Sequence, residues 1–182
     1  MHAFKYHKAG SVAEATAALS AGDDAKLLAG GQSLIAALKL RLSAPSDLID
    51  LAGIKELAGI KREGGGITIG AMTRHAEVAQ SAEVQAHIPA LASLAGGIGD
   101  RMVRNMGTLG GSLAHNDPVA DYPAAVLGLN ATVNTNQRRI AADDFFKGMF
   151  ETALQPGEII VSASFPVPKR AAYIKFKNPA SR

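Results

Sequence analysis

Two glycine pairs set far apart in the chain place the strongest limit on what it can fold into. They are Ala29-Gly30-Gly31-Gln32-Ser33 and Thr108-Leu109-Gly110-Gly111-Ser112. The first follows an apolar run and enters a segment of helical spacing. The second leads through Leu113-Ala114-His115-Asn116-Asp117-Pro118 into another. Glycine removes the Cβ that would block a close ligand, and a helix start adds unpaired N–H groups carrying partial positive charge. One such loop is a common turn. Two with the same grammar imply a ligand with a long phosphate bridge, gripped from both sides.

Neither pair belongs to the familiar nucleotide fingerprints. G-x-G-x-x-G cannot be written over residues 30–35, and no G-x-x-x-x-G-K-S/T occurs, which argues against a P-loop hydrolase. In the first cradle Gln32 and Ser33 add side-chain donors; a plain strand-to-helix turn without ligand stays open as the alternative. In the second, Gly107, Gly110 and Gly111 permit a tight backbone, and Thr108 and Ser112 offer hydroxyls to phosphate or a ribityl chain. A carboxylate beside a diphosphate is repelled, so Asp117 or Asp121 should face a sugar hydroxyl or a helix N–H. Spacing makes Asp117 the helix cap and Asp121 the ligand-facing candidate, with an ordinary first-turn acid as the alternative.

Other classes are argued against by what the chain lacks. Net charge is +3, and Arg138-Arg139 and Lys169-Arg170 are isolated doublets, so no nucleic-acid surface is expected. No apolar stretch approaches a membrane span and the start is no signal peptide. Cysteine is absent, which agrees with a cytoplasmic setting. Without thiolates the chain cannot ligate an ordinary iron–sulfur cluster, so any such centre belongs to another chain. His115 and Asp117 do not supply three convergent metal ligands, and no serine has a suitable partner. No catalytic or metal-binding residue is therefore assigned. Arg101 and Arg104 serve an anion or simply a solvated loop. Lys175 and Lys177 alternate with Ile174 and Phe176, marking either a solvent face or a positive charge at the ligand's rim.

Patterning predicts strands at 4–7, 26–29 and 47–51, a helix from the Ser11-Val12-Ala13-Glu14 capping box to Gly22, helical spacing over 34–42 and one helical turn at 54–57. A hairpin follows at 59–62 and 67–70, then helices over 74–79, 82–87 and 89–94 started by Thr73, Ser81 and Pro89. A loop carries Arg101, Arg104 and Asn105 into the second cradle. Asp117-Pro118 opens a helix to about residue 127. A second hairpin spans 131–135 and 138–141, with a short helix at 143–146 and strands at 158–165 and 172–177. The βα character of the opening places a lobe boundary near 53–58, giving lobes 1–57 and 58–182. Residues 178–182 read as a cut at a domain junction.

Residues 29–34, together with Arg104-Asn105-Met106-Gly107-Thr108 and the run onward to Asp121, resemble the FAD-binding medium subunit of molybdenum hydroxylases, the family of carbon monoxide dehydrogenase, xanthine dehydrogenase and related heterocycle hydroxylases. The likeness runs from Phe4-Lys5-Tyr6 to Phe176-Lys177 and beyond. It implies an α+β, two-lobed FAD-binding fold of the vanillyl-alcohol-oxidase and UDP-muramate-reductase type. By position it implies that Leu27, Leu28, Ala29, Gly30, Gly31, Gln32, Ser33 and Leu34 hold the diphosphate from the first lobe, and Thr108, Leu109, Gly110, Gly111 and Ser112 from the second. Ile98 lines the flavin or adenine pocket, Asp121 binds a polar part of FAD, and Ile160 and Lys177 close the site. A further C-terminal flavoprotein domain, usual in the family, is absent from the 182 residues. The implied role is an oxidoreductase subunit in electron transfer. A large subunit with the molybdenum cofactor and a small subunit with 2Fe–2S clusters feed FAD, which passes electrons to NAD⁺, a quinone-like carrier or dioxygen. A free-standing flavin oxidase and a non-enzymatic nucleotide-binding assembly module are the competing expectations.

Overall fold

Strand and helix alternate through the first 50 residues: β1 (Lys5–Lys8), α1 (Val12–Ala21), β2 (Ala25–Leu28), α2 (Leu34–Lys39) and β3 (Asp47–Asp50). Helical crossovers oblige the strands to run parallel, and they do so in the order β1-β3-β2, with Asp47 opposite both Lys5 and Ala25. The cap of α1 forms as its sequence predicts: the Ser11 side chain accepts the Glu14 N–H, while Glu14 reaches back to Gly10 rather than to Ser11 itself. The central strand buries Leu48 and Ile49, and a small core joins Ala15, Ile49, Leu51 and Leu57 to Ile159 from much later in the chain. The computed structural model describes residues 1–177; the junction expected at 178–182 lies outside them.

A 3-10 turn at Lys55–Leu57 leads into the hairpin β4 (Ile60–Glu63) and β5 (Gly66–Gly70). Short helices follow: α3 (His75–Gln80), α4 (Ala82–His87), α5 (Pro89–Gly96), α6 (Arg101–Met106), α7 (Leu109–His115) and α8 (Tyr122–Gly128). The chain then forms β6 (Thr132–Thr135), β7 (Arg139–Ala141), α9 (Ala142–Phe145), β8 (Phe146–Gly148), β9 (Glu151–Thr152) and β10 (Ile160–Pro166). The second sheet is antiparallel in the order β4-β5-β10-β6-β7. Alternation along β5 and β10 sends Ile67, Ile69, Ala163 and Phe165 into a core with Leu91, Leu94, Leu113 and Tyr122. Asn136 ties this sheet to the first lobe: its Nδ2 donates to Thr16 of α1 at 3.0 Å and its Oδ1 accepts the Ile159 N–H at 2.9 Å. Beside it, buried Glu158 accepts from Thr135, Gln155 and both Nε and Nη2 of Arg138. The Arg138 guanidinium, foremost among these donors, holds the Glu158 carboxyl down at about 2.

Four sequence expectations need correction. The loop expected around Arg101, Arg104 and Asn105 is α6, because the Asp100 side chain caps it at Met102 and Val103 N–H. The second glycine motif is the interior of α7, not an open loop, with Thr108 as its cap. The helix expected from Asp117 starts only at Tyr122; Asp117 instead turns the chain, its Oδ1 accepting the Val119 N–H at 2.9 Å and its carbonyl the Ala120 N–H. The last strand, expected at 172–177, does not form, since this stretch docks through the side chains of Tyr173 and Lys175 and not through a backbone ladder. The β8–β9 pair had no prior expectation.

Candidate functional site

The two glycine motifs meet. A Cβ on Gly30 would lie 2.3 Å from the Met106 carbonyl oxygen and 2.6 Å from Gly107 Cα, and one on Gly111 would lie 3.5 Å from Ala29 Cβ. Only a bare Cα at Gly30 lets that turn approach Met106–Gly107 this closely, while Gly111 meets Ala29 at ordinary contact distance. The seam between the lobes therefore passes through both motifs.

At the first motif the chain leaves β2, turns at Gly31 with φ +70°, and enters α2 without a side-chain cap. The first internal bond of that turn is Ile35 N–H to Gly31 O. Among the described residues, nothing accepts the N–H groups of Gly31, Gln32, Ser33 and Leu34. Gln32 and Ser33 are exposed and the rest of 27–34 is half-buried. Four successive free amides on a left-handed turn form a nest with the charge and curvature suited to an anion. The donor set fits a diphosphate.

The second motif is built differently. Residues 71–75 run alongside it as a rail. His75 N–H donates to Gly107 O at 3.0 Å, Leu109 N–H to Thr73 O at 3.0 Å, and Gly110 N–H to Ala71 O at 2.7 Å. The Gly111 N–H goes to Thr108 Oγ1. The expectation of a second open amide cradle is therefore corrected: the N–H groups of Leu109, Gly110 and Gly111 are all engaged inside the protein. Gly110 is buried because a Cβ there would stand 2.5 Å from Ala71 Cβ. Thr108 is buried as well, which leaves half-buried Gly111 and Ser112 as the parts of this motif still open to a ligand.

Asp121 is 9% exposed and sits at the start of α8. The Tyr173 hydroxyl donates to its Oδ1 and Lys175 Nζ to its Oδ2 at 2.9 Å. Lys175 also reaches the Gly97 carbonyl at 3.4 Å, beside half-buried Ile98, whose own carbonyl accepts from Arg104 Nη1 at 2.7 Å. Burial first, then the Asp121 carboxylate, pushes the Tyr173 hydroxyl up from its ordinary value. Ile160 lies in the larger core, where its side chain packs the sheet. Lys177 is exposed.

Sequence reasoning passed over two buried polar residues here. His75 Nδ1 and the Tyr122 hydroxyl have no partner among the described residues, and their rings lie 5.2 Å apart. Burial holds the imidazole down at about 4, so the ring is neutral at pH 7, and burial pushes the Tyr122 hydroxyl up. Their only signal in the sequence is a lone His at a helix start and a Tyr following Asp121.

A family profile described as the FAD binding domain in molybdopterin dehydrogenase matches residues 2–168. The chain belongs to that family. As an FAD-binding domain of this kind it is 44% identical over 168 residues to the carbon monoxide dehydrogenase medium chain of Hydrogenophaga pseudoflava, covering 90% of this chain and 58% of that one. It superposes on a solved structure of carbon monoxide dehydrogenase from the same organism, lacking the Mo-pyranopterin moiety of its cofactor, with a TM-score of 0.92 and 42% identity, covering 98% and 65%. UDP-N-acetylenolpyruvylglucosamine reductase of Thermus caldophilus shares the fold alone, at a TM-score of 0.54 and 17% identity over 91% and 56%. The two-lobed α+β architecture expected from the sequence is thus the fold of this FAD-binding domain. The domain spans about three-fifths of the length of these relatives. Among the described residues no helix is long and apolar enough to cross a membrane.

Proposed function

We propose that this chain is the FAD-binding part of the electron-transfer subunit of a molybdenum hydroxylase complex, with lobes at 1–57 and 58–182. The observation that carries the reading is the nest of free amides at Gly31–Leu34 on the seam between the lobes. Gly31, Gln32, Ser33 and Leu34 donate to the diphosphate, with Leu27, Leu28, Ala29 and Gly30 shaping the turn. Gly111 and Ser112 meet the ligand from the other side, and Thr108, Leu109 and Gly110 hold them in place. Ile98 and Asp121 with its two partners flank the cofactor's far end, and Lys177 lies at the rim. When bound, FAD supplies the redox chemistry, accepting electrons and passing them on.

No side chain of this domain need transfer a proton; its task is to orient the cofactor and fix the local charge. With no cysteine in the 182 residues, the 2Fe–2S clusters reside in a small partner subunit and the molybdenum cofactor in a large one. The final acceptor is NAD⁺ or another external oxidant, and the complex is cytoplasmic. Separation of the two sheets and of the two hydrophobic cores supports the lobe boundary. Titration of the purified chain with FAD, followed by flavin fluorescence and absorbance, is expected to give one site per chain, weakened about tenfold in Gly31→Ala. A chain that binds ADP-ribose and FAD equally well would favour the assembly-module reading instead.

A further inference from the structure

We infer that His75 is a positioning residue for the diphosphate nest, acting through Gly107; this rests on the FAD-binding reading above. The imidazole lies directly beneath Gly107: a Cβ there would be 2.6 Å from Nε2 and 2.9 Å from Cδ2. Gly107 Cα in turn supports Gly30, whose own Cβ would fall 2.6 Å away. His75, Gly107 and Gly30 thus stack in one column from the core of the second lobe to the turn of the first. The His75 backbone adds the 3.0 Å bond from its N–H to Gly107 O.

The ring's own surroundings fit this duty. It is 5% exposed, Tyr122 braces it at 5.2 Å, and its Nδ1 binds nothing among the described residues. An unpartnered buried nitrogen costs stability, so no local hydrogen bond accounts for a histidine at this place. A flat ring accounts for it, because it lets the Met106–Gly107 backbone come down far enough to carry Gly30. Removing the ring drops Gly107, and the Gly30 turn follows it away from the phosphates.

The test measures FAD and ADP affinity of the full chain by titration calorimetry, beside thermal midpoints. In His75→Ala both ligands should weaken by the same factor, about tenfold, the equivalent of one charge-assisted amide bond. His75→Gln, which fills most of the space, should restore binding to within about threefold. Val84→Ala, in the same core but away from the column, should lower the midpoint and leave both affinities unchanged. If His75→Ala does not fold, His75→Leu, whose branched methyls press on Gly107, should show the same equal losses. Wild-type affinity in folded His75→Ala, or in His75→Leu where that is the variant that folds, overturns the inference, as does a loss confined to FAD, or one that Val84→Ala reproduces. A wild-type chain that binds neither FAD nor ADP overturns the cofactor reading and the inference with it.

Discussion

At Gly31–Leu34 the backbone leaves its hydrogen-bonding capacity free, four amides in a row without an acceptor among the described residues. At Leu109-Gly110-Gly111 each amide is engaged, two by the rail at residues 71–75 and one by the Thr108 cap. The missing side chains also serve different ends. Gly31 needs its φ of +70°, whereas Gly110 needs room for Ala71. A glycine pair at a helix start is therefore a binding element only where the amides stay unclaimed. Where they are claimed, the same letters weld one layer of the protein to the next.

The largest test of that contrast is Gly110→Val. Branched carbons against Ala71 should destabilise the chain by about 3 kcal/mol, read as a lower denaturation midpoint with or without FAD. If only affinity fell, the second motif would be a cradle after all. Next comes acid. His75 is held down at about 4 from an ordinary 6.5, so below pH 6.5 the unfolded chain takes up a proton that the folded chain refuses. Stability from this group is present above 6.5 and is lost as pH falls toward 4. Relative to His75→Gln, the wild-type chain should lose about 3 kcal/mol across that window in urea melts. At the open pair, Gly31→Ala should cost only about 1 kcal/mol of stability from its left-handed turn but weaken FAD about tenfold. Thr108→Val is the smallest change: loss of the cap should cost about 1 kcal/mol and, since Thr108 acts only by holding Gly111 in place, weaken FAD by no more than about threefold.

Much of this was legible in the sequence for physical reasons. Ser11 with Glu14, Ser81 and Pro89 mark helix starts through chemistry local to a few residues, and the alternation in β5 and β10 is equally local. The strand-turn-helix at Leu28–Leu34 reads correctly because an apolar run, a glycine turn and helical spacing follow in order. The failures are tertiary. Gly110 and Gly111 lower helix propensity, so α7 reads as loop; only contact with Ala71 explains Gly110 inside a helix, and contact with the Thr108 cap Gly111. Asp100 carries the cap signal for α6, but the glycines before it and after it obscured the helix. Asp121 was visible as a candidate, while its partners Tyr173 and Lys175 lie more than fifty residues on. His75 acquires meaning only from the column above it.

The clasp on Asp121 carries a consequence for anyone trimming the chain. The stretch that matches the family ends at residue 168, short of both Tyr173 and Lys175. A fragment cut there would keep the acid and discard both its hydrogen-bond donors, the Lys175 charge among them, stranding a mostly buried carboxylate at the start of α8.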